Sequence, residues 1–353
     1  MIILLILLIL SCIILIHECG HFFAAKYFNV KVEEFGFGFP PRIFGKKKGE
    51  TVYSFNLLPF GGFVKIFGED RKEDGDMSQE NDMKRSFALQ SLGHRAIILL
   101  GGIIMNVIFG WVLLSVVLMI GSPRHLMITH VAQNSPAEVQ GIKEGDIVIE
   151  VKRNDVSMYD PIEVEDFVRV VRSDAGTPFV ITFQRGKEVF SRTIEARSNP
   201  PQGEGVLGVG IQDIGFAAEP FFQSIYHGAI RSIEMMWLIA KGLISFFATV
   251  FINPNTLQSV AGPVGIFMMA QHAGELGIVY LVQLIGMISL NLAVLNLIPF
   301  PALDGGRVLF LIIEKIKGSP LSLRGERIAN ITGFVILLLL MGAVTIGDIL
   351  KII

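Results

Sequence analysis

Residues 1–25 read MIILLILLILSCIILIHECGHFFAA, and the five letters His17-Glu18-Cys19-Gly20-His21 decide how the remainder is read. Residues four apart on an α-helix stand one turn apart on one face, so His17 and His21 can offer two imidazoles to a single tetrahedral metal ion. Glu18 sits beside them as a candidate base for an attacking water, the chemistry that an HExxH helix supports. The setting sharpens this reading. The apolar run Met1 to Ile16, continued by Phe22, Phe23, Ala24 and Ala25, is long enough to cross a hydrocarbon core, which takes about 20 residues. Ionisable side chains are costly there, so three together mark a functional site. Two helix-end histidines facing headgroups are the plainer alternative. The run has no basic leading segment and no small-residue cleavage site, and it is read as a retained span.

The totals agree with a membrane location. Of 353 residues, 51% are hydrophobic and 18% charged, with a mean hydropathy of +0.57. That is too apolar for an ordinary soluble chain and suits a multi-span protein carrying some soluble mass. A net charge of -2 offers no surface for a polyanion, so no nucleic-acid partner is expected. Cys12 and Cys19 both fall in the first apolar segment, build neither a disulfide framework nor a thiolate metal site, and read as small core residues.

Lys31 to Arg95 is polar apart from Val52 to Phe67, VYSFNLLPFGGFVKIF. Its β-branched and aromatic residues around Pro59 and Gly61-Gly62 suggest a hairpin. With Lys65 as its one charge, that hairpin could re-enter the membrane if protein or a cavity satisfies its backbone. A small soluble sheet packed beneath the membrane is the alternative. Glu34 to Phe39 (EFGFGF) offers a strand to pair with it, and Asp70 to Asp82 reads as a charged loop. Ala96 to Ile120 is a second, charge-free span. Gly101 and Gly102 let a neighbouring helix approach closely there, and Asn106, polar inside an apolar span, needs a partner.

From Ser122 to about Gln212 charge rises and hydrophobicity alternates. Asn134-Ser135-Pro136-Ala137-Glu138 starts a helix that Gly141 closes, and strands are expected at Ile147–Val151, Phe179–Gln184 and Val189–Ala196. Phe221 to Ile252 is apolar but carries Arg231, Glu234 and Lys241 as a polar stripe, which favours an interfacial helix over a span. Gly277 to Pro299 and Ile328 to Ile346 are the third and fourth spans. Arg307, Lys315, Lys317, Arg324 and Arg327 between them mark a cytoplasmic loop. The 122–212 insertion then lies outside, and the HExxH end of the first span reaches the depth where the third span ends. There Asn291 to Gly306 reads NLAVLNLIPFPALDGG: Pro299 and Pro301 stop the helix, and Asp304 projects from the restart. Two histidines and one carboxylate would leave zinc an open fourth position.

HECGH, GGIIMN, PFGGFVKIFGE, the 122–212 stretch with its NSPAE, GI and EGD pieces, and NLIPFPALDGG follow one another in an order that resembles the site-2 protease family of intramembrane metalloproteases. The likeness covers nearly the whole chain and is greatest to the bacterial regulator-of-sigma-E branch. It implies a polytopic α-helical membrane protein with four transmembrane helices, a re-entrant β-hairpin at about 52–67 and an inserted, circularly permuted PDZ domain at 122–212. Residues 1–121 and 213–353 would be the two halves of the protease core. It implies Zn2+ held by His17, His21 and Asp304, with Glu18 as general base and acid. Asn296 and Asn291 would hold the substrate backbone, and Gly61, Gly62 and Phe63 would lie in a hairpin that pairs with unwound substrate. The implied partners are single-pass proteins cut within their membrane spans, such as an anti-sigma factor, or signal-peptide remnants. The lipid bilayer of a bacterial inner membrane and a peptide C-terminus at the PDZ groove complete the set. The chain departs from the pattern in having one PDZ-like stretch where some relatives have two, and Cys19 where Phe or Leu is usual. A non-proteolytic membrane adaptor built round the PDZ-like stretch is the rival reading, and it predicts that Glu18→Gln keeps all function. A transporter would need repeats or paired broken helices, which the sequence lacks.

Overall fold

The computed structural model describes residues 2–69, 83–122, 124–153, 156–159, 163–172, 176, 178–186, 188–201, 204–215, 217–250, 252 and 260–352. The charged stretch 70–82 lies outside them. Two compact units emerge: Met1–Leu114 with Gly228–Ala270 and Gln283–Ile353, and Ser115–His227 with Gln271–Val282.

In the first unit the opening apolar run forms α1 (Ile2–Tyr27). Its end is set by Asn29, which adopts φ 57, a left-handed conformation that asparagine tolerates and that lets the Val30 N–H turn back to the Ala25 carbonyl at 2.8 Å. α2 (Leu92–Ile120) crosses α1 at two glycines. A Cβ on Gly20 would lie 2.1 Å from the Gly101 carbonyl oxygen, and one on Gly101 would lie 2.6 Å from that of Gly20. The fourth letter of HECGH is therefore a helix-crossing residue: only glycine lets the two backbones touch.

β1 (Val32–Lys48) and β2 (Thr51–Ile66) confirm strands on both sides of the expected turn, with one correction. The two arms of 52–67 do not pair with each other over this stretch. Phe35 faces both Val64 and Tyr53, Gly36 both Phe63 and Ser54, and Phe37 both Gly62 and Phe55, so the EFGFGF segment is inserted between them. The alternation of that segment supplies the reason. Gly36 leaves room for the Phe63 ring, which would otherwise stand 2.4 Å from its Cβ.

The carboxyl half of this unit holds most of α5 (Phe221–Thr249) and α6 (Pro263–Leu276), then α7 (Ile278–Leu297), α8 (Asp304–Lys317) and α9 (Leu323–Ile352). α7 packs on α2 where Gly110 meets Gly286 and Leu290, and the Ser289 hydroxyl donates to the Asn106 carbonyl at 2.9 Å. Among the described residues five helices, α1, α2, α5, α7 and α9, are long and apolar enough to cross a membrane. That is one more than the four spans expected, because α5 qualifies by length and composition despite its polar stripe. The cysteines are both free, as expected, but their exposure corrects the reading of them as core residues: Cys12 is exposed and Cys19 half-buried on α1. In an apolar solvent a thiol gains little from the core.

The second unit is built on a six-stranded sheet of order β7-β6-β4-β3-β8, with β5 paired to β4. Its members are β3 (His125–Val131), β4 (Ile147–Arg153), β5 (Val156–Tyr159), β6 (Pro178–Arg185), β7 (Glu188–Glu195) and β8 (Val209–Ile214), with helices α3 (Pro136–Val139) and α4 (Val164–Arg172). The alternating residues Leu126, Ile128, Val148, Ile181, Phe183 and Ile194 form the core with Phe167 of α4. Asp146 is wholly buried, and the Arg185 guanidinium grips it with two contacts of 2.7 Å. The three expected strands and the Pro136 helix are present. β3, β5, β8 and α4 were not foreseen from the sequence.

Candidate active site

On α1 the 17 and 21 rings meet edge to face, with Nε2 atoms 3.1 Å apart. Beyond α7 the chain unwinds at Pro299 and Pro301, and Asp304 begins α8. Gly305 and Gly306 allow this sharp return, since Cβ atoms there would lie 2.3 Å from the Ile298 oxygen and 2.1 Å from the Phe300 oxygen. The Asp304 Oδ2 lands 3.0 Å from His17 Nε2 and 3.4 Å from His21 Nε2. Two ion pairs hold α8 in place: Arg95 to Glu314 at 2.9 Å, both nearly buried, and Arg307 to Glu69.

These three atoms have the spacing of a metal site. Ligands about 2.0–2.1 Å from a tetrahedral ion are separated by about 3.3 Å, within the observed 3.0–3.4 Å. Asp304 Oδ2 is buried without a well-aligned hydrogen bond, although two ring nitrogens are close. That is the pattern of lone pairs converging on a cation. Gly102 keeps the space clear, because a Cβ there would sit 2.4 Å from His21 Nε2 and 2.7 Å from His17 Nε2. His21, His17 and Asp304 are also the one His/Cys/Asp/Glu group among the described residues that could hold a metal ion.

The ring nitrogens facing away from this point are engaged as well. His21 Nδ1 lies 2.8 Å from the Ile98 carbonyl, which can only accept, so Nδ1 carries the proton and Nε2 a lone pair. Asn106 is wholly buried. Its Nδ2 lies 3.2 Å from His17 Nδ1 while its Oδ1 is buried without a partner. Turning the amide through 180° would let Oδ1 accept the Nδ1–H of His17. In that orientation Asn106 holds His17 in the tautomer whose Nε2 is free for a metal. Asn106→Leu should weaken zinc affinity by about 10–100-fold with the fold retained, read by metal content against a chelator series. The sequence singled out Asn106 as needing a partner but could not name it. Ile98 and Arg95 left no sequence signal, because a backbone carbonyl and a distant ion pair have none.

Glu18 lies on α1 beside this cluster, and its carboxylate accepts the Val64 N–H at 3.1 Å. The Gly61 N–H donates to Ser11 Oγ at 3.1 Å, and Gly62 abuts Leu15. Gly61 and Gly62 therefore lie against α1, whereas the Phe63 ring packs on Gly36 inside the sheet. Asn291 is exposed on α7 and Asn296 half-buried. Five residues along a helix amount to about 140° of rotation, so the pair does not share one face.

The family model described as Peptidase family M50 matches residues 5–340. A candidate zinc metalloprotease of Clostridium perfringens is 33% identical over 344 residues, covering 98% of this chain and 97% of the relative. Zinc metalloprotease RasP of Geobacillus kaustophilus is 26% identical, covering 98% of this chain and 97% of its own length. Regulator of sigma-W protease RasP of Bacillus subtilis is 28% identical, with 97% of each chain covered. With its five candidate spans and its paired histidines on an apolar helix, the chain belongs to peptidase family M50, the site-2 proteases, and is a zinc-dependent protease.

Proposed function

We propose that His17, His21 and Asp304 hold the zinc and that Glu18 moves the protons. The reaction would be hydrolysis of peptide bonds inside the membrane-spanning segments of single-pass proteins. The observation that carries this is depth. The β1–β2 turn is anchored near the end of α1, where Glu50 pairs with Lys26 and takes a two-pronged grip from Arg85 at 2.6 and 2.9 Å. The Arg85 guanidinium, against a smaller upward push from burial and with help from Lys26, holds the Glu50 carboxyl down at about 2. From there the sheet follows α1 back to the Gly61–Ser11 contact, fifteen residues from Lys26 or about 22 Å at 1.5 Å per residue. If α1 crosses the bilayer, this edge enters it, with the histidines alongside. The exposed Phe39, Ile43, Phe44, Phe55, Leu57 and Leu58 of the sheet suit contact with lipid.

Zinc, when bound, supplies a Lewis acid that polarises a carbonyl and acidifies water. Glu18 takes the proton of the attacking water and passes it to the departing amine nitrogen, which completes cleavage of the C–N bond. A helical substrate hides its carbonyls, so it must unwind, and pairing with the 62–66 edge offsets the hydrogen bonds it gives up. Anti-sigma factors and signal-peptide remnants are substrates of this kind. In proteoliposomes a substrate whose span carries Gly or Pro near the cut should be cleaved faster than its Leu counterpart. Equal rates would exclude the unwinding step. Asp304→Ala should lose zinc and cleavage together, and an enzyme that kept its metal would remove Asp304 from the ligand set.

The second unit is read as a permuted PDZ domain facing outside a bacterial inner membrane. β8 ends the sheet and follows Gly205 to Gly208, leaving an edge on which an extended peptide C-terminus can add as a strand. The stripe on α5 supports an interfacial position for that helix.

A further inference from the structure

Two donors on the edge of the 61–66 strand are already occupied, and by side chains of α1. Successive residues of a strand point their N–H and C=O groups to opposite sides. Since the Val64 N–H reaches Glu18, the main-chain groups of Gly62 and Val64 face away from β1, and those of Phe63 and Lys65 face towards it. An added strand would have to use this outward face. Glu18 sits on the Val64 N–H, and the Gly61 N–H, which strict alternation would aim at β1, is turned to Ser11 by the positive φ of Gly61 (74). The spacing matches: the seven residues from Ser11 to Glu18 rise about 10.5 Å along the helix, and the three from Gly61 to Val64 extend about 10 Å along the strand. Two polar side chains on one otherwise apolar face of α1 thus cover the edge donors.

We propose that the Val64 main-chain amide is a positioning group for Glu18, tethering its carboxylate in the resting enzyme and passing to the substrate strand on docking. Ser11 does the same for Gly61. The inference rests on the protease reading above and adds a coupling to it: an N–H that holds the carboxylate cannot simultaneously pair with substrate, so docking itself frees the base. A bilayer offers no water to replace the exchanged bonds, which makes the exchange one for one.

Val64→Pro removes only the donor, and an edge strand tolerates proline where the N–H points outward. Ser11→Ala removes the other cover. The full chain in detergent–lipid would be assayed for zinc content, for cleavage of an embedded single-span substrate, and for cleavage of a fluorogenic tetrapeptide too short to pair with the edge. Val64→Pro should keep its zinc, raise KM for the embedded substrate about tenfold, the worth of one hydrogen bond, and lower kcat/KM less on the tetrapeptide than on the embedded substrate. Ser11→Ala should lower KM for the embedded substrate about two- to threefold at constant kcat. Parallel losses on both substrates with zinc retained would overturn the inference, and so would an unchanged KM in Val64→Pro. If Val64→Pro fails to retain zinc, Ser11→Ala decides, an unchanged KM again overturning it. Failure of the wild type to cut any embedded substrate would instead remove the protease reading.

Discussion

Glu18→Gln should keep zinc at the wild-type stoichiometry and lower cleavage of an embedded substrate by about 10²–10⁴-fold, the usual worth of a general base. The substitution preserves shape. An amide oxygen can still accept the Val64 N–H that the carboxylate accepts at 3.1 Å, so the hairpin stays docked and no buried donor is orphaned. The three atoms that converge beside it belong to His17, His21 and Asp304, so the metal has no reason to leave. The capacity to take a proton from water is what disappears. Metal analysis together with a gel assay of the cleaved product checks both halves. Full activity in Glu18→Gln would point to the adaptor reading, and loss of zinc would make Glu18 a ligand.

Gly102→Ala should do the opposite, emptying the metal site without changing any titratable group. One methyl placed 2.4 Å from His21 Nε2 and 2.6 Å from His17 Cε1 fills the point where the three lone pairs meet. Relief would require α2 to pull away from α1 at the Gly20–Gly101 backbone contact one residue away. Zinc content should fall by more than about tenfold, as for disruption of a metal site, and cleavage should fall with it. Alanine is the better helix former by about 1 kcal/mol, so the folded fraction should not drop. Gly93→Ala on the same helix meets nothing within 4 Å and should behave as wild type. Zinc binding of wild-type strength in Gly102→Ala would show that the ion lies elsewhere.

Much of this centre was legible before any fold was known. HECGH suggested a candidate metal pair through its spacing alone, and NLIPFPALDGG declared a broken helix with a carboxylate at its restart, because proline stops a helix wherever it stands. Strands with clean alternation, such as β6 and β7, were equally plain. Short β5, with no alternating run, and β8, beside a glycine-rich turn, were not. α5 carried two signals of opposite sense, apolar length against a charged stripe, and length alone places it among the candidate spans.

Local chemistry by itself therefore determined which residues are candidates for binding and which segments are apolar, since helical spacing, proline and burial cost act within a few neighbours. Only the tertiary structure decided what touches them: that Gly20 and Gly101 bring two helices into backbone contact, that Gly102 is the empty space between two imidazoles, that Asn106 orients one of them, and that EFGFGF slips between the arms of 52–67. Contacts between residues dozens to hundreds of positions apart arise when packed helices and strands share one volume, and no short stretch of sequence carries that information.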